Sequence, residues 1–278
     1  MRLGLVGPGR VGRGLVQLLP PRTFHVGPVL SHDFTSARRA VRLMQLGEAT
    51  ADPEDLKHCN VVLVTVPDHA LDEVIAMLAN VAFTYRKKVV LHTSLGRGSK
   101  ALAPLRLRGA AIGSLQPLYG FQHPVLSLRG VYFAFEGSRV AAAPARRIVR
   151  ALGGEFQLVK GSHKAHHHHL VAHSMASDLL TGLLESSVRR MMWSGYTRRR
   201  AFQAISKLIE VTVNGYAQSG RKSRPGPLLQ QKEGGAGLFL DGSEDVDSEM
   251  ADDYVRCARQ ALRILRRGQK EKGNGVEP

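Results

Sequence analysis

Arg2-Leu3-Gly4-Leu5-Val6-Gly7-Pro8-Gly9-Arg10-Val11-Gly12 is the stretch on which the reading of the fold turns. A short apolar strand runs straight into G-x-G-x-x-G, and a helical pattern begins at Val11. Each glycine in that order has its own task. The first permits a tight turn, the second lets backbone approach a pyrophosphate, and the third allows close packing of helix on strand. The helix start then offers free N–H groups and the positive end of its dipole to phosphates. A turn needing glycine for its backbone angles alone is the weaker reading, because strand, glycines and helix occur in the required order. Gly7, Pro8, Gly9, Arg10, Val11 and Gly12 are therefore candidate dinucleotide-binding residues.

Outward from this stretch, short Val, Leu and Ile-rich segments alternate with helix-length amphipathic ones as far as Val159, the βαβ rhythm of a parallel sheet. Strands are expected at Leu3 to Val6, His25 to Leu30, Val61 to Val66, Lys88 to His92, Ala110 to Leu115, Tyr132 to Phe135 and Glu155 to Leu158. Helices are expected at Val11 to Leu19, Thr35 to Leu46, Ala70 to Ala79 and Pro144 to Leu152. After Lys160 the strand signals stop, and helices are expected at Lys164 to Ser194, Arg198 to Gln218 and Asp247 to Arg267. A Gly, Pro and Ser-rich loop, 219–243, separates the last two, and 268–278 is a polar tail. The fold class is α/β: a doubly wound parallel-sheet Rossmann domain over 1–160, then an all-helical substrate and dimerisation domain over 161–278.

The bulk numbers narrow the class. With 278 residues and 43% hydrophobic composition there is enough chain for two cores. Cys59 and Cys257 are far apart and in no C-x-x-C pair, so a disulfide framework and a thiolate zinc site are both disfavoured. A strand from the second residue leaves no room for a signal peptide, and no apolar run approaches the roughly 20 residues of a membrane span. A cytoplasmic protein without a membrane partner is expected. The net charge of +16 raises the question of nucleic acid. Its basic clusters, at Arg189-Arg190, Arg198-Arg199-Arg200 and the last helix, carry little aromatic interleaving and no nucleic-acid-binding signature. A solvated basic surface that also attracts anionic cofactor and substrate is the favoured reading, and nucleic acid is not the expected partner.

The choice of dinucleotide is set at the end of the second strand, where NAD binders place an acidic residue on the ribose. Here the chain reads Val29-Leu30-Ser31-His32-Asp33, with Arg38 and Arg39 a turn or so further on. Ser31, His32 and Arg38 suit a 2′-phosphate and favour NADP. Asp33, if shifted to the ribose, would favour NAD. Val66, Pro67 and Thr93, after later strands, complete the candidate cofactor residues.

Several segments together resemble a bacterial family of Rossmann-like proteins with a helical C-terminal domain of unknown function. It is distantly akin to pyrroline-5-carboxylate reductases and hydroxyacid dehydrogenases of the phosphogluconate type. The resemblance covers nearly the whole chain. Besides the glycine fingerprint it is carried by Thr65-Val66-Pro67-Asp68-His69-Ala70, His92-Thr93-Ser94, Ser114-Leu115-Gln116-Pro117-Leu118, Arg129 to Gly137, Ala176-Ser177-Asp178 and Gly226-Pro227. The chain departs from the family pattern at Gln116, where a histidine is common, at Asp178, where an asparagine is common, and at Leu95, where a glycine is usual.

Lys164-Ala165-His166-His167-His168-His169-Leu170-Val171-Ala172-His173-Ser174-Met175-Ala176-Ser177 is the most unusual stretch of the second half. At 100° per residue His166, His169, His173 and Ser177 share one face, and His167 points away. The resemblance implies that this helix faces the nicotinamide and supplies the general acid, at His169 or Leu170; the chemistry of imidazole favours His169. The expected catalytic set is then His169 and His173 for proton delivery, with Ser94 and Ser177 positioning a small carbonyl, imine or hydroxy-acid substrate. Metal ligation by His169 and His173 at i and i+4 is weaker, since no carboxylate partner lies at a diagnostic spacing, and no metal is expected. A merely solvated helix start is the favoured reading for His167 and His168. Two other functions stand beside the reductase: a non-catalytic dinucleotide sensor, suggested by Gln116 and Asp178, and a nucleic-acid binder, suggested by the charge. A homodimer is expected through the apolar residues between Leu179 and Met192.

Overall fold

The computed structural model describes residues 1–121, 124–223, 256–258 and 260–261. Its first strand, β1 (Arg2–Val6), is followed by α1 (Arg10–Val16), β2 (His25–Leu30), α2 (Phe34–Met44), β3 (Glu48–Thr50) and β4 (Val61–Val64). Then come α3 (Leu71–Ala79), β5 (Val89–His92), α4 (Ala103–Leu107), β6 (Ala111–Pro117), β7 (Tyr132–Gly137), α5 (Arg139–Ala151) and β8 (Glu155–Leu158). The helical part holds α6 (His163–Ser174), a π-helical turn at Met175–Leu179, α7 (Leu180–Trp193) and α8 (Arg198–Ser219). The chain divides into two compact units, Met1–Leu180 and Thr181–Pro278, so the histidine helix belongs with the sheet.

Among the described residues the eight strands form one sheet in the order β3-β2-β1-β4-β5-β6-β7-β8. Neighbours are parallel except β6 and β7, which run antiparallel. The period of two along each strand feeds two cores. Val61 and Leu63 of β4 join one apolar cluster with α1, α2 and α5 residues such as Leu15, Met44 and Ile148. Val62 and Val64 join the other, with Leu71, Ile75 and Leu78 of α3. Helices on both faces explain why β4 is apolar at every position.

The structure adds to the sequence reading at several points. β3 is only three residues long, and α4 is a five-residue helix in a stretch that reads as a connection. β7 reverses direction, which a strand pattern does not reveal. The fifth helix starts at Arg139, because the Ser138 hydroxyl accepts from the Ala141 amide at 3.2 Å, and Pro144 lies inside it. Of the expected helix Asp247–Arg267 only 256–258 and 260–261 are described, and these are helical. The loop beyond Ser223, Gly226-Pro227 and the tail 268–278 lie outside the described residues. Among those described, no helix is long and apolar enough to cross a membrane.

Candidate functional site

The strand order turns back between β1 and β4, and ligands in such sheets bind outside the carboxyl ends of the strands at that point. A cleft of about 580 Å³ opens there, its floor made by Gly7, Pro8 and Gly9 after β1 and by Thr65, Val66 and Pro67 after β4. Gly7 has φ +75°, which a side chain resists, and a Cβ there would collide with Val66. Its amide donates to Leu30 O at 2.9 Å, and its carbonyl accepts from the Thr65 hydroxyl at 2.6 Å. At Gly12 a Cβ would run into the Thr65 hydroxyl and Leu5. Gly9 differs from both. The nearest atom to its absent Cβ is Gly7 O at 4.0 Å, so a side chain at Gly9 would stand in open space beside the cleft without disturbing the packing of the protein. No side chain caps the start of α1.

The wall at the end of β2 is polar, with Ser31, His32 and Ser36 lining it. Ser31 Oγ lies 3.4 Å from His32 Nδ1, and His32 Nε2 pairs with Asp33 at 2.7 Å. The Asp33 carboxylate caps α2, accepting from the Ser36 amide at 2.7 Å, and that hydrogen bond holds its pKa below the usual carboxylate value. It does not line the cleft. The opposite wall is largely apolar, formed by Ala70, Val74 and Met77 with Glu73 beside them. Sequence reasoning missed this wall, although 70, 73, 74 and 77 make one helical face, a signal that marks it. Of the expected cofactor residues, Arg10, Val11, Gly12, Arg38 and Thr93 do not line this cleft; Arg10 and Arg38 are exposed and Gly12 is buried.

A second, buried cluster sits where β5, β6 and β7 end. The Ser94 amide donates to His92 Nδ1 at 3.2 Å, which assigns the other proton to Nε2, 3.1 Å from Gly98 O. Burial pushes the pKa of this imidazole down to about 4, so it is neutral. Gln116 Nε2 donates to Ser94 O at 2.7 Å and to the Ser114 hydroxyl at 2.9 Å. Among the described residues, the buried Gln116 Oε1 and Ser94 Oγ have no hydrogen-bond partner. Glu136 of β7 accepts from the Ser99 amide and hydroxyl at 2.7 and 2.6 Å, and its Oε2 lies 3.6 Å from Nε2 of buried His166. Glu136 lies in the segment Arg129 to Gly137 that carries the resemblance but was assigned no role, and Ser99 gave no signal; only the fold brings them to the histidine helix.

On that helix Ser162 caps the start, accepting from the Ala165 amide at 3.1 Å. His166 is buried, His169, His173 and Ser177 are half-buried, and His167 and His168 are exposed. Burial first, then His173 and His166, depress the pKa of His169. The Ser177 hydroxyl donates to His173 O at 2.7 Å and lies 3.5 Å from His173 Nδ1, within the π turn. Ser94 is brought near this helix through its loop, since a Cβ on Gly96 would lie 3.7 Å from Leu170. Among the described residues no group of three or more His, Cys, Asp or Glu is placed to hold a metal ion.

Residues 1–117 match the model of a Rossmann-like domain, and residues 131–235 match a domain of unknown function, DUF2520. No curated protein matches the sequence. Solved structures do. A Thermotoga maritima protein, TM1727, is 21% identical with a TM-score of 0.68, over 95% of this chain and 99% of its own. BF3122 of Bacteroides fragilis, assigned as an NADP oxidoreductase, is 17% identical with a TM-score of 0.74, over 94% and 98%. A reductive aminase of Aspergillus terreus, in complex with NADPH and ethyl-5-oxohexanoate, is 15% identical with a TM-score of 0.69, over 94% and 93%. At these identities the likeness is one of fold.

Proposed function

We propose that this chain, a Rossmann-like domain joined to a DUF2520 domain, is an NADP-dependent reductase of small C=O or C=N compounds. The observation that carries the reading is the cleft at the strand switch point: bare at Gly9, hydroxyl- and imidazole-lined at the end of β2, and apolar opposite. Those residues fit NADP. The backbone of Gly7 to Gly9 would meet the pyrophosphate, Ser31, His32 and Ser36 the 2′-phosphate, and Ala70, Val74 and Met77 the flat face of the adenine. Asp33, committed to its helix cap, leaves the ribose end without the carboxylate that NAD binders use. When bound, the reduced cofactor supplies a hydride to an electrophilic carbon.

The chain's own part is alignment and proton delivery. His169, kept neutral more readily by its surroundings, would exchange a proton with the substrate heteroatom once charged, with His173 one turn away to share it. Ser177, anchored on His173, would orient the substrate. Ser94 has the same proposed role, but it is only 4% exposed. That enclosure favours a second reading, a dinucleotide sensor that turns nothing over.

NADPH titration followed by turnover against carbonyls and imines separates the two. A reductase should lose about 10²-fold in kcat on His169→Ala or His173→Ala at saturating NADPH, with cofactor affinity retained and His167→Ala nearly silent. Tight NADPH binding with no turnover on any carbonyl or imine would replace the enzyme by the sensor.

A further inference from the structure

The protein carries a net charge of +16, yet the loop 93–98, which joins β5 to the buried cluster, is bordered by carboxylates. A Cβ on Gly96 would lie 3.0 Å from Asp68 Oδ2, and one on Gly98 would lie 3.3 Å from Glu136 Oε2. The loop's own cation, Arg97, is held bidentate by Asp72 at 2.7 and 3.1 Å. Glu136 accepts two hydrogen bonds from Ser99 and lies 3.6 Å from His166 Nε2, too far for a hydrogen bond. Asp68 is different: it is exposed, no hydrogen bond or close ion pair among the described residues reaches its carboxylate, and it acts on Arg97 and His92 only through space, so that Asp68 and Asp72 together set two carboxylates against one guanidinium. It lies by the same Gly96 position that faces Leu170, the residue next to His169. Two residues before Gly96, the buried Ser94 hydroxyl also has no hydrogen-bond partner among the described residues.

A substrate carboxylate entering here meets like charge and finds Arg97 already taken. A protonated amine or an iminium nitrogen meets the Asp68 carboxylate, which holds no hydrogen bond or close ion pair among the described residues, at the edge of the helix that carries His169. Charge-assisted contacts of this kind are the stronger ones, and like-charge contacts are correspondingly penalised. We propose that the substrate end of this site selects a cationic amine or iminium compound over a carboxylate, with Asp68 as the residue that meets the positive charge. This rests on the reductase reading above, and it narrows the substrate class from carbonyl, imine or hydroxy acid to the nitrogen compounds.

Two ligands of nearly equal shape and opposite charge test it. Cyclohexylamine and cyclohexanecarboxylate are titrated calorimetrically into the NADP+-saturated protein at pH 7.5, with NADPH affinity measured in parallel. The amine should bind about tenfold or more tightly than the acid, the size expected of one partly solvated charge contact. Asp68→Asn should remove most of that preference and Asp68→Glu should keep it, with thermal melts confirming that both variants fold. Equal or better binding of the acid, or an unchanged preference in Asp68→Asn, overturns the proposal and leaves the reductase reading standing. Failure of the wild-type protein to bind NADPH takes down both.

Discussion

Glu136 and His166 meet in the interior of the first unit, Oε2 3.6 Å from Nε2, and the missing side chain of Gly98 is what leaves the imidazole its space. A methyl group at Gly98 would lie 2.6 Å from His166 Nε2 and 3.0 Å from Cδ2. His166 is 95% buried, so it has little freedom to step aside. Gly98→Ala is expected to cost roughly 1–3 kcal/mol, the usual penalty of overpacking, and to lower the melting temperature. An unchanged melt would show that His166 is held less firmly than its burial implies.

Gly9 and Gly12 should part company in experiment. Gly12→Ala forces a methyl group against Thr65 and Leu5 and is expected to destabilise the fold by roughly 1–3 kcal/mol. Gly9→Asp adds its side chain to open cleft, so the melt should change little while NADPH binding is lost through repulsion of the pyrophosphate. Fluorescence titration beside thermal melts reads both. A folded Gly9→Asp protein with normal NADPH affinity would remove the dinucleotide from this cleft.

Asp33 lies two residues past Ser31, outside the lining of the cleft, and its Oδ1 accepts from the Ser36 amide at 2.7 Å. NADPH should therefore bind at least about tenfold more tightly than NADH, the discrimination expected of one charged group recognised by hydrogen bonds. Ser36→Ala should weaken NADPH alone. Asp33→Asn keeps a capping side chain and should leave NADH affinity nearly unchanged. A large loss of NADH affinity in Asp33→Asn would return the carboxylate to the ribose and make the protein an NAD binder.

The parts legible in the sequence are those fixed by local chemistry. Strand β1, the glycine turn and α1 announce themselves because each glycine has a distinct steric task, and the apolar run of β4 reports burial on both faces. What escaped depends on the partner. Strand direction is not encoded in side-chain alternation, so the antiparallel β6–β7 pairing was unreadable. Pro144 is a common helix-start residue and drew the helix boundary away from Ser138, the true cap. The stripe of His166, His169 and His173 follows from the helical period, but which of them is driven into the sheet is decided by Glu136 and Gly98, far away in sequence.

Acid should loosen the fold through His92. This imidazole is 0% exposed, and burial lowers its pKa from the ordinary 6.5 to about 4 in the folded state. The unfolded chain therefore binds the proton more readily between those values. The stabilising contribution is fully present above about pH 6.5, falls as pH drops towards 4, and is gone below it. The amount at stake is on the order of 3 kcal/mol. Melting temperatures from pH 7.5 to 4 should show a steeper fall for the wild type than for His92→Gln. Parallel curves would assign the acid sensitivity to other groups.

The last prediction concerns the apolar surface of the helices. In the first unit Leu170, Val171, Met175 and Leu179 are 38–58% exposed, and in the second Leu183, Phe202, Val211, Val213 and Tyr216 are 49–62% exposed. Scattered exposed leucines are ordinary, but within each unit these recur along successive helical turns, and apolar faces of this kind mark association. Closed two-fold dimers are the commonest way to cover it. The protein should therefore scatter light as a particle of twice its 30.3 kDa chain mass at micromolar concentration. Met175 and Leu179 lie four residues apart in one turn of the helical stretch. Replacing both with Glu places two charges in the proposed interface, where desolvation without a partner costs several kcal/mol, and the dimer should dissociate. The double variant must still bind NADPH, because the glycine cleft lies on the strand ends β1 and β4 and contains neither residue. A monomeric wild type, or a dimer indifferent to both substitutions, would show that these side chains are covered by something other than a second copy of the chain.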